Sequence, residues 1–172
     1  VADTIPPREG RSVIPSRVWV RQTLMMDVRE ILAFERLLPG GWGPKEFGEY
    51  RERDPALRGL TVADRISRRV LGAVMYSECP KTFFIWRVAV APGARRHGLG
   101  RALVEGVKER AAWHGRETVQ ALIPDDNASA WGLFYAAGFC VVEGLSRPVG
   151  VVHVPDISGP ARLMLFDRLA VG

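Results

Sequence analysis

The residues best suited to chemistry lie in one run, Val88-Ala89-Val90-Ala91-Pro92-Gly93-Ala94-Arg95-Arg96-His97-Gly98-Leu99-Gly100-Arg101-Ala102-Leu103. A β-prone segment ends at Val90, a Gly-rich turn follows, and the turn opens a helical pattern. Such a junction is a cradle for an anion. The first amides of a helix have no partner within it, and the helix dipole adds partial positive charge there. Gly98 and Gly100 carry no side chain, so a phosphate could approach the backbone closely. Arg95, Arg96 and Arg101 add full charges, and His97 can donate to phosphate.

The spacing excludes two common phosphate sites. A nucleoside-triphosphate loop ends in Gly-Lys-Ser/Thr, whereas Gly100 is followed by Arg101-Ala102. The dinucleotide fingerprint GxGxxG lacks its third glycine, and a meander of strands precedes the turn where a βαβ unit would be required.

Further features are spaced around this turn. Val90-Ala91-Pro92 precedes it, and Asn127-Ala128-Ser129-Ala130 and then Gly138-Phe139 follow. With these the chain resembles the GCN5-related N-acetyltransferases, which carry Gln/Arg-x-x-Gly-x-Gly/Ala at the turn, Val-x-Pro before it, and Asn-x-x-Ala and Gly-Phe after it. The match covers residues 82–140 and is nearest in pattern to ribosomal-protein alanine acetyltransferases. It implies an α/β (α+β) fold, a mixed and mostly antiparallel sheet of about six to seven strands flanked by about four helices. It also implies acetyl-CoA as co-substrate. Its pyrophosphate would lie on the backbone of Arg95, Arg96, His97, Gly98, Leu99 and Gly100, with Arg101 beside it. Its pantetheine arm would run along Val88 and Val90, splayed from the strand at 117–123 by a bulge near Val88–Ala91. Asn127 matches a position that contacts the pantetheine end, and it can equally cap a helix.

Acetyl transfer from a thioester to an amine sets three tasks. A lysine-type amine has a reference pKa of about 10.4, so its proton must pass to a side chain or to water before attack. The oxyanion needs a donor, for which the resemblance implies a strand N–H near Ala89. The departing thiolate needs a proton. Many family members use a tyrosine seven residues after the Asn and four before the Gly; both counts land on Phe134, and Tyr135 is next. One helical step turns a side chain by about 100°. Tyr135 is therefore the candidate acid if the helix is shifted. Otherwise Phe134 fronts the cofactor, and solvent protonates the thiolate or the chain is a non-catalytic acyl-CoA-binding module. The ribosomal-protein type places a Glu where the ungapped register puts Leu122. Glu78, Glu117, Asp125 and His153 remain as bases, with none singled out.

The elements that must position these groups read as follows. Residues 1–16, with Pro6, Pro7, Gly10 and Pro15, suit a loose arm, and 17–172 a single domain. Residues 17–23 suit a strand, and Asp27 with Glu30 suits a capping box for a helix ended by Pro39-Gly40-Gly41. A short helix at 44–53 precedes strands at 58–63, 69–77 and 82–90, with a turn at Glu78–Lys81. Leu99, Leu103 and Val107 define the buried edge of a helix stopped by Gly115. A strand at 117–123, a helix stopped by Gly138, and strands at 139–143 and 161–169 complete the order. Trp42, Phe47 and Tyr50 beside Glu46 and Glu49 could receive a cationic amine, or could simply be core. Residues 145–160 could line the other side of an acceptor groove.

Composition narrows the class. The 172 residues are 47% hydrophobic and 25% charged, as in an ordinary globular domain. No run approaches a membrane span, and no signal pattern opens the sequence, so a cytoplasmic location is expected. Cys79 and Cys140 read as two buried thiols, and His97, His114 and His153 lack the spacing of a metal site. The net charge of +5 is unevenly placed: residues 95–116 hold +4, whereas 117–172 hold −3. That favours one compact anion over a nucleic-acid track. The partners are acetyl-CoA and an amine acceptor on a peptide or small molecule; a homodimer is left open.

Overall fold

Large and β-branched side chains dominate three consecutive runs, which form adjacent antiparallel strands: β2 (Leu57–Asp64), β3 (Val70–Glu78) and β4 (Thr82–Val90). The computed structural model describes residues 17–38, 41–145, 147–151, 154, 157 and 159–168. The arm expected at 1–16 lies outside them. The remaining elements are β1 (Val18–Gln22), α1 (Val28–Glu35), α2 (Pro44–Arg53), α3 (Leu99–Trp113), β5 (Thr118–Pro124), α4 (Ala128–Ala136), β6 (Cys140–Val141) and β7 (Ala161–Asp167). The seven strands make one sheet in the order β1-β2-β3-β4-β5-β7-β6, antiparallel throughout except for β4 with β5.

Both faces of the central strands are covered. On one face Leu99, Leu103, Val104 and Val107 of α3 and Phe134 of α4 pack on Leu60, Val62, Val74, Tyr76, Phe83 and Ile85. On the other, Ile31 and Phe34 of α1 meet Val70, Ala73 and Ala89, while Leu32 joins Trp42, Leu57, Met75 and Trp86. Gly115 and Gly138 stop α3 and α4 as expected, with φ of +68° and +83° that favour glycine. Lys108 ties the two helices, donating to Glu105 and to the Ala137 carbonyl at 2.9 Å. Cys79 is buried but Cys140 is exposed, and no disulfide joins them. No helix among the described residues is long and apolar enough to cross a membrane.

Asp27 corrects the expected capping box. It does not cap α1. Its carboxylate accepts both Arg21 Nη1–H and Nη2–H at 2.6 and 2.9 Å and the Leu24 N–H at 2.8 Å, while Glu30 accepts the Val70 N–H at 3.1 Å. Arg21, from the neighbouring strand, and the Leu24 N–H take the Asp27 carboxylate in place of the cap, and Val70 takes Glu30. Burial works to raise the Asp27 pKa, but the Arg21 and Leu24 bonds together hold it below the ordinary 3.8. A carboxyl lowered on folding stabilises the native state above its unfolded pKa, and that contribution is lost as pH falls below about 4. Asp27→Asn is expected to cost about 2 kcal/mol at pH 7 and less at pH 3, where the carboxyl of the unfolded chain is already protonated. Urea unfolding at the two pH values measures the difference; an equal loss at both would refute the assignment.

Candidate active site

The parallel pair at the centre of the sheet is incomplete. β4 pairs with β5 only from Thr82↔Thr118 to Ile85↔Ala121. Beyond that point β4 stays on β3 to Val90, and β5 stays on β7 to Pro124. The two strands diverge and leave a wedge bordered by Trp86–Val90. The cause is a bulge: Met75 pairs with Arg87 and Tyr76 with Ile85, so Trp86 is the extra residue. The bulge lies ahead of the expected Val88–Ala91. Its position follows from two neighbouring side chains that both have partners on the α1 and α2 face. The Trp86 indole N–H donates to Ser77 Oγ at 2.5 Å, and that hydroxyl donates in turn to buried Asp54. Arg87 reaches Glu35 of α1. A regular strand would turn one of the two away.

At the open end of the wedge β4 runs into the Gly-rich turn. Pro92–Ala94 form a single 3-10 turn, Arg96 and Gly98 adopt left-handed φ of +63° and +75°, and α3 starts at Leu99. Among the described residues no carbonyl accepts from the amides of Arg95, Arg96, His97 or Gly98; the turn's next backbone bond is Ala102 N–H to Gly98 O at 3.0 Å. A non-glycine residue held left-handed is strained, which is a mark of functional turns. Arg95, Arg96, His97 and Arg101 are exposed around these amides, and buried Leu99 anchors the turn. Arg95 Nε–H donates to Val90 O at 3.1 Å, and His97 Nδ1 lies 3.4 Å from Ala94 O. Val88 and Val90 face the α3 side, and Ala89 the α1 side. The arrangement offers backbone donors and positive charge to a phosphate, and a strand edge to whatever the phosphate carries.

α4 borders the same wedge. Asn127 accepts the Ala130 N–H at 3.1 Å, the cap expected of it. Leu133 lies beside Gly100, where an added Cβ would stand 3.5 Å from its methyl carbon. Phe134 is 3% exposed, its ring edge-on to Phe139 at 5.0 Å. Tyr135 is 54% exposed and leans on Trp131, 5.8 Å away. Two helical steps separate Tyr135 from Leu133, about 200°. Its hydroxyl is thus carried on the flank turned away from the Gly100 side. Phe134→Tyr would bury a hydroxyl in this packed place and is expected to cost about 1–3 kcal/mol; thermal unfolding measures it, and an unchanged midpoint would show room for the hydroxyl.

Across the sheet, the α1 and α2 side holds a cluster that sequence reasoning missed. Glu35, 4% exposed in its side chain, accepts Arg87 Nε–H at 2.9 Å, and the Arg87 guanidinium lies 5.7 Å from the Trp42 ring centre. Gly41 permits this: a Cβ there would stand 1.8 Å from the Glu35 carbonyl oxygen, so only glycine lets the chain turn back and bring Trp42 N–H to Glu35. Trp42 stacks on Tyr50 at 4.7 Å, and both meet Trp86. Glu46 instead accepts the Gly43 N–H, and Glu49 pairs with Lys45. Trp42 is therefore core, with Phe47 and Tyr50 half-buried against it, and those two carboxylates belong to their own helix. Two sequence signals point to the cluster. Glu35 lies one helical turn after Ile31 on a buried stripe, and Arg87 is the one charge in Thr82–Val90.

The other acidic candidates lie elsewhere. Glu78 ends β3 rather than sitting in a turn, opposite Phe83 and between Arg58 and Arg110 at 3.7 Å each. Glu117 is exposed just before β5, and Asp125 pairs with Arg162 at 3.2 Å. His153 lies outside the described residues. A cavity of about 240 Å³ lies between β5, β7 and Val142, Leu145, Val149 and Gly150, where Gln120 clasps Val149 through both its N–H and C=O. It sits by Thr82 and Thr118, the end of the parallel pair away from the wedge. No group of three or more His, Cys, Asp or Glu could hold a metal ion among the described residues.

A split β4–β5 pair with a Gly-rich helix start at its mouth defines an acyl-CoA-dependent acetyltransferase fold. Residues 25–139 match the model of the acetyltransferase (GNAT) family, and the chain belongs to that family. It is 36% identical over 81 residues to an L-2,4-diaminobutyric acid acetyltransferase of Nocardia farcinica; the match covers 45% of this chain and 42% of that one, less than half its length. The fold is shared with the ribosomal-protein-S18-alanine N-acetyltransferase of Escherichia coli, with a TM-score of 0.67 and 19% identity over 87% of this chain and 93% of that one. It is shared also with the spermidine N-acetyltransferase of Vibrio cholerae in complex with CoA and spermine, with a TM-score of 0.66 and 17% identity over 90% and 98%.

Proposed function

We propose that this protein transfers the acetyl group of acetyl-CoA to a primary amine of a small diamine, by direct attack in a ternary complex. The observation that carries the reading is the wedge beyond Ile85 and Ala121, closed at its mouth by the unpaired amides of Arg95 to Gly98. The pyrophosphate rests on these amides, with Arg95, Arg96 and Arg101 balancing its charge. The arm follows Val88 and Val90, and the thioester carbonyl comes to the backbone beside Ala89. The acceptor enters from the α1 and α2 face, opposite the cofactor turn. The amine nitrogen attacks the carbonyl carbon, the C–S bond breaks, and the amine proton leaves to water. Tyr135 is directed away from Gly100, so the thiolate takes its proton from solvent. The diamine class is suggested by the acceptor in the name of the similar protein, diaminobutyric acid.

Thiol release from acetyl-CoA tests the reading against a panel of 2,4-diaminobutyrate, spermidine and a peptide with an N-terminal alanine. Release is expected with 2,4-diaminobutyrate and not with the peptide; spermidine, a triamine without a carboxylate, reads whether amines alone suffice. Binding of CoA without release for any amine would instead make the chain a CoA-binding module. Tyr135→Phe is expected to change turnover by less than about twofold from pH 6 to 9; a loss of tenfold or more, deepening as pH rises, would restore Tyr135 as the acid.

A further inference from the structure

We infer that Arg87 binds a carboxylate carried by the acceptor alongside its amine. The inference rests on the acetyl-transfer reading and narrows its acceptor from a diamine to a diamino acid. Three observations carry it.

The first is position. Arg87 is the one charged side chain of β4 and follows the bulge residue directly, in the half of the strand that β5 has left. Its neighbours Val88 and Ala89 border the place where the acyl carbonyl would lie. The second is direction. Arg87 points to the α1 and α2 face, whereas the phosphate turn and α3 occupy the other face. Donor and acceptor would reach the reacting carbon from opposite sides of the sheet, and Arg87 stands on the acceptor side.

The third is the state of the guanidinium. Arginine has five N–H donors. Here Nε–H is spent on Glu35, the plane is steadied over Trp42, and among the described residues Nη1 and Nη2 have no hydrogen-bond partner. The side chain is 22% exposed, against 4% for Glu35. A buried carboxylate therefore holds one edge of the fork in a set orientation, and the Nη edge is left to the solvent side. That edge matches the two oxygens of a carboxylate, a geometry in which lysine cannot replace arginine.

The test compares 2,4-diaminobutyrate with 1,3-diaminopropane, which has the same two amines at the same spacing and lacks only the carboxylate. Arg87→Lys keeps the charge beside Glu35 and removes the fork; Arg87→Met removes both. In either variant kcat/KM for diaminobutyrate is expected to fall by roughly 30-fold or more, chiefly through KM, and the loss for diaminopropane to be at least tenfold smaller. CoA affinity by calorimetry shows that each variant is folded, and if Arg87→Met is not, Arg87→Lys carries the comparison. Equal losses on both amines would show that Arg87 serves only to pair Glu35, and would overturn the inference. No loss in either variant would overturn it too, as would a wild-type protein that uses diaminopropane as well as diaminobutyrate. Failure of the wild type to acetylate any amine is a different result, which removes the acetyl-transfer reading itself.

Discussion

Gly98→Glu is expected to abolish CoA binding while the fold persists. Gly98 holds φ +75° and ψ 8°, a conformation in which a side chain costs about 1–2 kcal/mol. A domain with roughly 5–15 kcal/mol of stability survives that cost. The cofactor site does not. The new carboxylate would stand at the start of α3, among the same unpaired amides and the same helix-end charge that a pyrophosphate needs, and would repel it. The dissociation constant of CoA should rise at least about 100-fold, or roughly 2.7 kcal/mol, in a calorimetric titration. Gly98→Ala separates strain from charge. In Gly100→Ala the added Cβ meets only Leu133 at 3.5 Å and Val90 at 3.8 Å within the protein, ordinary contacts, so any loss of CoA affinity there reads bulk at the turn rather than strain. Unchanged affinity in Gly98→Glu would sink the assignment of this turn to the cofactor.

Glu35→Leu should be the most damaging single change on the opposite face. It strips Arg87 of its partner and removes the carboxylate behind Trp42 N–H. Breaking a buried pair from one side costs about 3–5 kcal/mol, since the remaining charge stays poorly solvated. For a chain of this size the unfolding midpoint would drop by about 10 °C. The double variant Glu35→Leu/Arg87→Met should cost less than the two single losses added, with a coupling above about 1 kcal/mol. A loss below about 1 kcal/mol for Glu35→Leu alone would mean that Arg87 is solvated and that the pair does not set its orientation.

Features that depend on a few consecutive residues are legible in the amino-acid sequence. Thr82–Val90 and Pro44–Arg53 take the boundaries their patterns dictate. Leu99, Leu103 and Val107 are buried, because a spacing of four puts them on one side of a helix. Gly98, Gly115 and Gly138 are left-handed, since each stands where the chain must change direction at a helix end. The phosphate turn belongs to this set: its glycines, its arginines and its helix are contiguous, so the pattern of the residues already contains the site.

Features that depend on which partner a side chain finds on another element are not legible there. Asp27 has the neighbours of a helix cap, yet Arg21 from β1 takes its carboxylate. The bulge falls at Trp86 because Ser77 and Glu35, 9 and 52 residues from their partners, draw adjacent side chains to one face. Trp42, Phe47 and Tyr50 carry the composition of a binding surface, and packing against Leu32, Leu57 and Met75 makes Trp42 core and leaves Phe47 and Tyr50 half-buried beside it. Tyr135 stands one residue from the tyrosine position its family uses, and the rotation of α4, set by burial of Phe134, carries its hydroxyl outward. Local order follows from backbone sterics and capping, which act over a few residues. Which charge meets which, and which face a strand gives up to its ligand, is settled only when distant elements compete for the same partners in three dimensions.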